Sequence, residues 1–511
     1  MTVRAHSRIS NRVGYLVIWS TLIWFIMQMT RRIAYNPGEQ IFWLIPIIFV
    51  IAVILFVRWN YALYVFIPWL VIEDLVRKYS GNNMMIYLVK DALATLIYIS
   101  FFLFAHPRWQ RRRHDLGRPP FLFALGMFAI YGTLQILNPL SPHVLFGLAG
   151  FKLYFYYIPL MFVAYFWLTS VKQLRLFIMV NLSLAALVAI IGLIQGIVGL
   201  DFLSPRELAP EFVTLGNLVR RAPTGAEVPR ATSVFVSDGR YAFYLLTIFF
   251  IGYGSVMYMI ANRQRGRLWS IVCLSIVTIA IFMSGVRSSV VYALVAFLML
   301  TSVFLWQRPR LSPLYRRLFT GLQVITLITG IALFGFMHLF PQESKARWDL
   351  YAGTIPREFS NRAVTYPLTE WMKAFQTPCW QFGCGIGIAS FGTQYITRFS
   401  GARRPFGGVE SGYGNILIEM GILGLILWWI WTTLAIVHAW KIVLRMRGTP
   451  FFFLSASICW YVFWLLGPTT FTGNTYQNFI LNAYLWIWFG ILLALPRIAE
   501  HENRRSFSHH Q

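Results

Sequence analysis

Two glutamates, Glu410 and Glu419, stand nine residues apart in the stretch GGVESGYGNILIEMGILG. In an α-helix this spacing corresponds to a rise of about 13 Å and places the two side chains on opposite faces. They are therefore not a carboxylate pair that flanks a scissile sugar bond, because such pairs lie within about 10 Å of each other. Glu410 follows the cationic Arg403 and Arg404 and is bordered by glycines, which allow a substrate to come close. We predict that Glu410 is a candidate catalytic residue that a substrate can reach, and that Glu419 holds helices together.

Arg287 is the second candidate catalytic residue. It lies in MSGVRSS, where small residues on both sides leave room for another group to approach, and it has no acidic neighbour in the sequence. Its counter-charge must come either from a distant carboxylate or from a bound phosphate. An arginine fork matches a phosphate group, because two N–H groups bind two oxygens side by side.

The elements that carry these residues are membrane helices. Of the 511 residues, 58% are hydrophobic and only 12% are charged, about half the charge of a soluble protein. The apolar residues come in blocks of about 17–25, the length that crosses a bilayer, and backbone hydrogen bonding in lipid requires these spans to be helical. The sequence predicts an all-α polytopic membrane protein with about fourteen spans, near 13–30, 41–57, 60–72 (short, tilted or re-entrant), 84–105, 120–138, 146–168, 176–200, 241–260, 268–285, 288–306, 318–340, 411–438, 451–467 and 476–495. The first span has a basic lead but no cleavage site, which predicts a retained signal anchor.

Charge placement predicts the orientation. The formal net charge is +26, and with a cytoplasmic N-terminus the short inside loops are basic and almost free of acid, as the positive-inside rule expects. Both termini are then cytoplasmic. The outer side also carries many arginines, concentrated in segments 201–240 and 341–410, and this outer charge indicates an anionic, phosphorylated ligand. The candidates for binding it are Lys152, Arg230, Arg240, Arg362, Arg403 and Arg404.

Three further charged residues lie inside predicted spans, where ionisable side chains are costly. Lys90 and Asp91 are adjacent in the fourth span, and we expect them to neutralise each other or their neighbours as a structural pair. Lys152 lies near the outer end of the sixth span. Its ammonium either reaches the membrane surface along its apolar stem or faces a ligand, and both interpretations remain open.

The chain divides into four predicted regions: N-terminal transmembrane helices at 1–118, a central transmembrane core at 119–340, an outer cap loop at 341–410, and C-terminal helices with a cytoplasmic tail at 411–511. An amphipathic helix is predicted across 362–376 in the cap. Cys379 and Cys384 also lie there, and a disulfide between them is left open. No nucleotide-binding loop and no metal-ligand motif occurs in the sequence, so neither cofactor nor metal is expected.

Four segments carry a resemblance to a known family: RATSVFVSDGRYAFYLL, MSGVRSS, NRAVTYPLTEWMKAFQTPCWQFGCGIGIASFG and ESGYGNILIEMGILGLI. Their order around one large outer loop resembles the O-antigen ligase and O-antigen polymerase superfamily of bacterial envelope glycosyltransferases, over roughly residues 120–440. The sequence departs from the family at Glu410, where ligases tend to have histidine. This departure favours a polymerase or another ligase-like enzyme of exopolysaccharide assembly.

The resemblance implies a GT-C-like fold in the bacterial inner membrane, with the large loop between spans 11 and 12 on the periplasmic face. It implies metal-independent, inverting transfer of a glycan from undecaprenyl diphosphate to a glycan or lipid acceptor. Under this reading Arg230, Arg240, Arg287 and Arg362, with Lys152, stabilise the diphosphate leaving group, and Glu410 takes the acceptor proton. Membrane lipids and other polysaccharide-assembly proteins would be partners, and nucleic acid would not.

Two other readings fit the sequence. A transporter or flippase for an anionic, lipid-linked envelope precursor would suit the number of spans and the basic outer surface. No internal repeat relates the two halves of the chain, however, and many transporters have one. A non-catalytic scaffold of a polysaccharide assembly is the third possibility.

Overall fold

The computed structural model describes residues 61–81, 84–104, 119–204, 218–306, 313–403 and 408–508. This part of the chain is mostly helical. Its α-helices are α1 (Ala62–Tyr79), α2 (Met84–Phe104), α3 (Pro120–Leu134), α4 (Val144–Phe155), α5 (Pro159–Trp167), α6 (Val171–Val198), α7 (Asp238–Ala261), α8 (Arg267–Met283), α9 (Arg287–Trp306), α10 (Pro313–Leu339), α11 (Pro341–Ser360), α12 (Tyr366–Phe375), α13 (Ile396–Ser400), α14 (Gly412–Arg445), α15 (Phe452–Leu466), α16 (Pro468–Thr472) and α17 (Phe479–Ser508). Two short strands, β1 (Val219–Arg221) and β2 (Glu227–Pro229), pair antiparallel, with Arg220 opposite Val228.

Eight helical segments in the described residues are long and apolar enough to cross a membrane, and three shorter apolar helices accompany them. The protein is therefore a multi-pass helical membrane protein. These eleven segments coincide with the eleven spans predicted between residues 84 and 495. The predicted spans at 13–30 and 41–57, and the predicted signal anchor, lie outside the described residues, and the total of fourteen stays a prediction.

The centre of the bundle is formed by α7 and α17. An 18-residue window of α17 is entirely buried, and 89% of the corresponding window of α7 is buried. Both helices are apolar around their whole circumference, which is typical of a helix enclosed by others. Helix α17 packs on α5, while α7 packs on α8 and α15. The other spans surround this pair, and each has one side exposed at the surface of the bundle.

Two predicted spans are interrupted in the structure. The segment predicted at 146–168 forms α4 and α5, which are separated by a turn before Pro159; proline lacks the N–H that would continue a helix. The segment predicted at 411–438 breaks at Gly421, whose φ is 66° and ψ is −172°. The portion from residue 422 to 445 rises about 36 Å, enough to cross the bilayer alone.

The first described helix is also longer than the sequence indicates. We predict a short span at 60–72, but α1 continues to Tyr79 and carries the buried charges of Glu73, Asp74, Arg77 and Lys78. Apolar content alone marks only its first part. The remainder is held inside the protein by ion pairs described below.

The segment predicted as an outer cap contains more helix than expected. Helix α11 continues without interruption through a π-helical stretch, Asn361–Thr365, into α12. The amphipathic helix predicted at 362–376 corresponds to this stretch and α12, whereas α11 was not predicted. A disulfide joins Cys379 to Cys384, and the chain from residue 383 to 390 is buried. It enters the break in α14, where the Ile422 N–H donates to the Gln381 carbonyl over 3.3 Å.

Candidate functional site

One face of α11 holds the turn that precedes Arg287. Arg347, Tyr351 and Glu358 lie four and eleven residues apart, so they share a side of the helix. The Tyr351 hydroxyl donates to the Phe282 carbonyl over 2.7 Å and accepts from the Gly285 N–H over 3.1 Å. Burial raises the Tyr351 pKa to about 12, so this hydroxyl stays protonated.

Arg287 forms an ion pair with Glu358, at 2.8 Å between Nη1 and Oε1. The two side chains are 24% and 41% exposed. The counter-charge that the sequence left open is thus a carboxylate on α11 in this structure. Because exposed ion pairs contribute about 0–1 kcal/mol, a phosphate could displace Glu358 from Arg287 at little cost.

Arg230 lies beside the same turn. Its side chain forms an ion pair with Asp238 at the start of α7, and its Cγ lies 3.2 Å from the position that a Cβ on Gly285 would occupy. Burial lowers the pKa of Arg230, Asp238 opposes this effect, and the nearby charges of Arg220 and Arg287 reinforce it. The structure therefore brings Arg230 and Arg287 into one neighbourhood, as their predicted role requires.

Arg347 connects the backbone segments that precede Arg230 and Arg287. It is fully buried and donates only to backbone carbonyls in its described contacts: to Met283 over 2.8 Å, Glu343 over 3.0 Å, Gly196 over 3.3 Å and Pro229 over 3.4 Å. Pro229 directly precedes Arg230, and Met283 lies four residues before Arg287. The role of Arg347 was not predicted, since nothing in its local sequence distinguishes it from other loop arginines.

Glu410 is exposed, but the backbone that leads into it is fixed by hydrogen bonds. Asn415 Oδ1 accepts from the Val409 N–H over 3.0 Å, and Asn474 Nδ2 donates to the Val409 carbonyl over 3.1 Å. The two asparagines are themselves hydrogen-bonded at 2.6 Å. The Glu410 N–H donates to Glu370 Oε2 over 2.9 Å.

The Glu410 carboxylate accepts a hydrogen bond from the Tyr366 hydroxyl, at 2.7 Å to Oε2. Tyr366 is the first residue of α12, and Glu358, the partner of Arg287, lies eight residues earlier on the same continuous helix. Eight residues rise about 12 Å. The continuous helix therefore contacts Arg287 through Glu358 and Glu410 through Tyr366, and the π-helical stretch lies between these two contacts. Such π-helical turns occur frequently at functional sites.

Arg362 lies within this π-helical stretch, halfway between Glu358 and Tyr366. Its position in the chain suits a role beside Arg287 and Glu410, although its side chain lies outside the described part of the structure. Arg403 is described and exposed. Arg404 falls outside the described residues, so its predicted role stays a prediction.

The remaining predicted residues belong to a separate group, the inner charge cluster, which consists of Glu73, Asp74, Arg77, Lys78, Lys90, Asp91, Lys152 and Arg240. Arg240 Nη1 contacts both Asp74 oxygens, at 2.9 and 2.8 Å, and Lys152 pairs with Asp91. The sequence left open whether Lys90 and Asp91 pair with each other or with neighbours, and in the structure they do not pair with each other. Lys90 instead pairs with Glu73 at 2.8 Å, so each neutralises a neighbour.

Half of the inner charge cluster comes from α1, and these four residues were not predicted. The stretch EDLVRK at 73–78 places an acid and a base four residues apart twice, a spacing typical of a charged helix face. That signal was available, but the prediction ended the apolar span at residue 72.

A short turn between residues 230 and 240 connects the two groups of charges. Gln195 Oε1 accepts from the N–H groups of Thr232 and Ser233, over 2.8 and 2.7 Å, and Lys78 Nζ donates to the Ser233 carbonyl over 2.9 Å. Ser233 has a φ of 51°, a conformation that persists only when its surroundings fix it. Beyond this turn, Asp238 faces Arg230 and Arg240 faces the inner charge cluster.

Glu419 lies apart from these residues. It is fully buried and accepts from the Ala389 N–H over 3.1 Å and from Ser390 Oγ over 2.6 Å. It therefore fastens the buried 383–390 loop to the end of the first half of α14. Within the described residues it forms no ion pair, and the same residues contain no group of three or more His, Cys, Asp or Glu that could hold a metal ion.

The fold and site define a polytopic helical membrane protein in which one continuous helix, α11 to α12, contacts both Arg287 and the carboxylate of Glu410. Neither the protein-family models nor the curated proteins that were searched contain a match to this chain.

Proposed function

We propose that this protein is a glycosyltransferase of bacterial envelope assembly. It polymerises or ligates oligosaccharides carried on undecaprenyl diphosphate, at the periplasmic face of the inner membrane, by inverting and metal-independent chemistry. The proposal includes about fourteen spans, a GT-C-like fold and cytoplasmic termini.

One observation carries the proposal: the continuous helix from α11 to α12 contacts Arg287 through Glu358 and Glu410 through Tyr366, about 12 Å apart along its axis. A spacing of this order along the helix suits a substrate that places its diphosphate near Arg287 and its acceptor hydroxyl near Glu410. Two groups of opposite charge at the two ends of a substrate are what transfer from a diphosphate requires.

In the proposed reaction, the leaving diphosphate needs charge stabilisation more than protonation. Arg287 and Arg230 supply guanidinium donors for it, and Arg287 exchanges its partly exposed partner Glu358 for phosphate oxygens. Glu410 accepts the proton of the attacking sugar hydroxyl. Its Oε2 already accepts a hydrogen bond from the Tyr366 hydroxyl. We therefore assign Oε1 as the oxygen that takes the proton of the acceptor hydroxyl.

The test supplies purified protein with a lipid-linked oligosaccharide and measures glycan length or transfer to a second acceptor. We expect Glu410→Gln to lower the rate about 10²–10⁴-fold, the usual contribution of a general base. Arg287→Ala should lower it about 10²–10³-fold by removing charge stabilisation. The matched controls are Arg357→Ala, an exposed arginine on the same helix, and Glu500→Gln, which pairs with Arg445 elsewhere. Both controls should keep full activity.

The same preparation separates the competing function. If the wild-type protein forms no glycosidic product but moves the lipid-linked glycan across vesicle membranes, the protein is a flippase and the enzyme proposal is wrong. A fully active Glu410→Gln enzyme would remove the general-base role alone and leave glycosyl transfer in place.

A further inference from the structure

The circumference of α12 divides into three sectors. Glu370 and Ala374 are buried against the protein. Leu368 and Met372 are 43% and 52% exposed on a second side. A third sector is exposed and polar, and it contains Thr369, Lys373 and Gln376. A helix that is buried on one side, apolar on another and polar on the third is typical of the boundary between lipid and water.

The apolar sector continues a surface that faces lipid. Along the second half of α14, Leu423, Ile426 and Ile430 form an exposed apolar stripe on a membrane-spanning segment. Trp371, which borders the apolar sector of α12, contacts Trp429 with ring centroids 6.4 Å apart. The exposed apolar surface therefore passes from the span to α12, and one environment covers both.

We propose that α12 is an interfacial helix, which lies in the bilayer leaflet on the side of the 341–403 segment. Leu368 and Met372 contact the acyl chains, while Thr369 and Lys373 contact water and lipid headgroups. The partner of this surface is the lipid bilayer itself. Lys373 also pairs with Glu370, so its ammonium is held away from the apolar sector of the helix.

This placement has a consequence for chemistry, which rests on the proposed function. Tyr366 opens α12 and holds Glu410, so an interfacial α12 fixes this carboxylate at the level of the lipid headgroups. The diphosphate of a lipid-linked glycan lies at the same level. The acceptor hydroxyl would then reach Glu410 without lifting the lipid out of the membrane.

Spin labels provide a test that does not depend on activity. Single cysteines at Leu368, Met372, Thr369 and Lys373 are labelled in a background where the free cysteines Cys273 and Cys459 are replaced by alanine. The full chain is reconstituted in vesicles of phosphatidylethanolamine and phosphatidylglycerol. We then compare collision of each label with oxygen, which concentrates in lipid, and with a water-soluble nickel chelate.

We expect labels at 368 and 372 to collide mainly with oxygen, and those at 369 and 373 mainly with nickel. If all four labels collide mainly with the nickel chelate, all sides of α12 that carry labels are exposed to water and the proposal is wrong. If labels at 368 and 372 collide with neither, another protein or a second copy covers the sector, and the lipid assignment is also wrong.

A second measurement uses the unmodified protein and therefore does not depend on the folding of variants. Vesicles that contain a phospholipid with a diazirine in its acyl chain are irradiated, and the peptide spanning residues 363–373, bounded by Arg362 and Lys373, is analysed by mass spectrometry. Adducts at Leu368 and Met372 support the interfacial position. Absence of adducts from this peptide, while the Leu423–Ile430 stretch is modified, contradicts it. A failed glycosyltransferase assay changes neither result.

Discussion

At the scale of single residues, the candidate residues Glu410 and Arg287 are each held by groups from distant parts of the chain. Glu410 is exposed and precedes α14, whereas Glu419 is fully buried within that helix. The groups that fix Glu410 could not be predicted, since Glu370 and Asn474 lie 40 and 64 residues away in the chain. The same holds for Glu358, which lies 71 residues from Arg287.

Arg347 gives the first stability prediction at this scale. Arg347→Met removes a buried guanidinium and leaves carbonyls of Met283 and Gly196 without their donor, which should cost about 3 kcal/mol. Thermal unfolding of the detergent-solubilised protein should show a lower midpoint, with little change for the exposed Arg357→Met. Equal midpoints for both variants would mean that Arg347 does not hold the turn.

Glu370 gives a prediction about pH. Burial raises the pKa of this carboxyl, but hydrogen bonds from Lys373 and from the Glu410 N–H, with the charge of Lys373, outweigh it and lower the pKa overall. A lowered folded-state pKa contributes stability above the unfolded value, about 4.3, and this contribution is lost as pH falls through the folded value. Glu370→Gln should therefore lower the unfolding midpoint at pH 7, and its difference from wild type should shrink below about pH 4. A difference independent of pH would contradict the ionic role.

At the scale of elements, apolar runs predicted where membrane helices occur but not where they break. The run at 411–438 contains no proline, and its four glycines do not by themselves mark a break, since the unbroken run at 318–340 also holds three. The break at Gly421 depends on a loop from elsewhere in the chain, which occupies the space beside it. The extension of α1 was not predicted because its charged residues end the apolar run, although partners on other helices bury those charges in the structure.

Gly421→Ala tests the break in α14. Its φ of 66° disfavours any side chain, and a Cβ would lie 2.5 Å from the Gln381 carbonyl oxygen and 2.7 Å from the Gly383 nitrogen. We expect a loss of about 2–4 kcal/mol from strain and displaced backbone, measured as a lower unfolding midpoint and lower yield. Gly330→Ala in α10 is the matched control, because its Cβ would meet nothing within 4 Å. A stable Gly421→Ala protein would show that the helix tolerates a straight course there.

At the scale of the whole molecule, hydrophobicity establishes the bundle and buried charge determines which helices meet. The inner charge cluster joins α1, α2, α4 and α7 through three carboxylates, each with a basic partner on another helix: Glu73 with Lys90, Asp74 with Arg240 and Asp91 with Lys152. An unpaired charge in this position is costly. Packing of α1 against the wrong neighbour would leave such charges unpaired, so the pairs favour one arrangement of the helices.

The pair of Glu73 and Lys90 tests this idea because both side chains are fully buried. Lys90→Met leaves the Glu73 carboxylate without its partner and should destabilise the protein by about 3–5 kcal/mol. Adding Glu73→Gln removes the stranded charge, so the double variant should recover much of that loss. The exposed pair of Arg445 and Glu500 is the control, and its disruption should change stability by about 0–1 kcal/mol. If the double variant is no more stable than Lys90→Met alone, buried charge is not what fixes α1 against α2, and apolar packing of the two helices must supply the specificity instead.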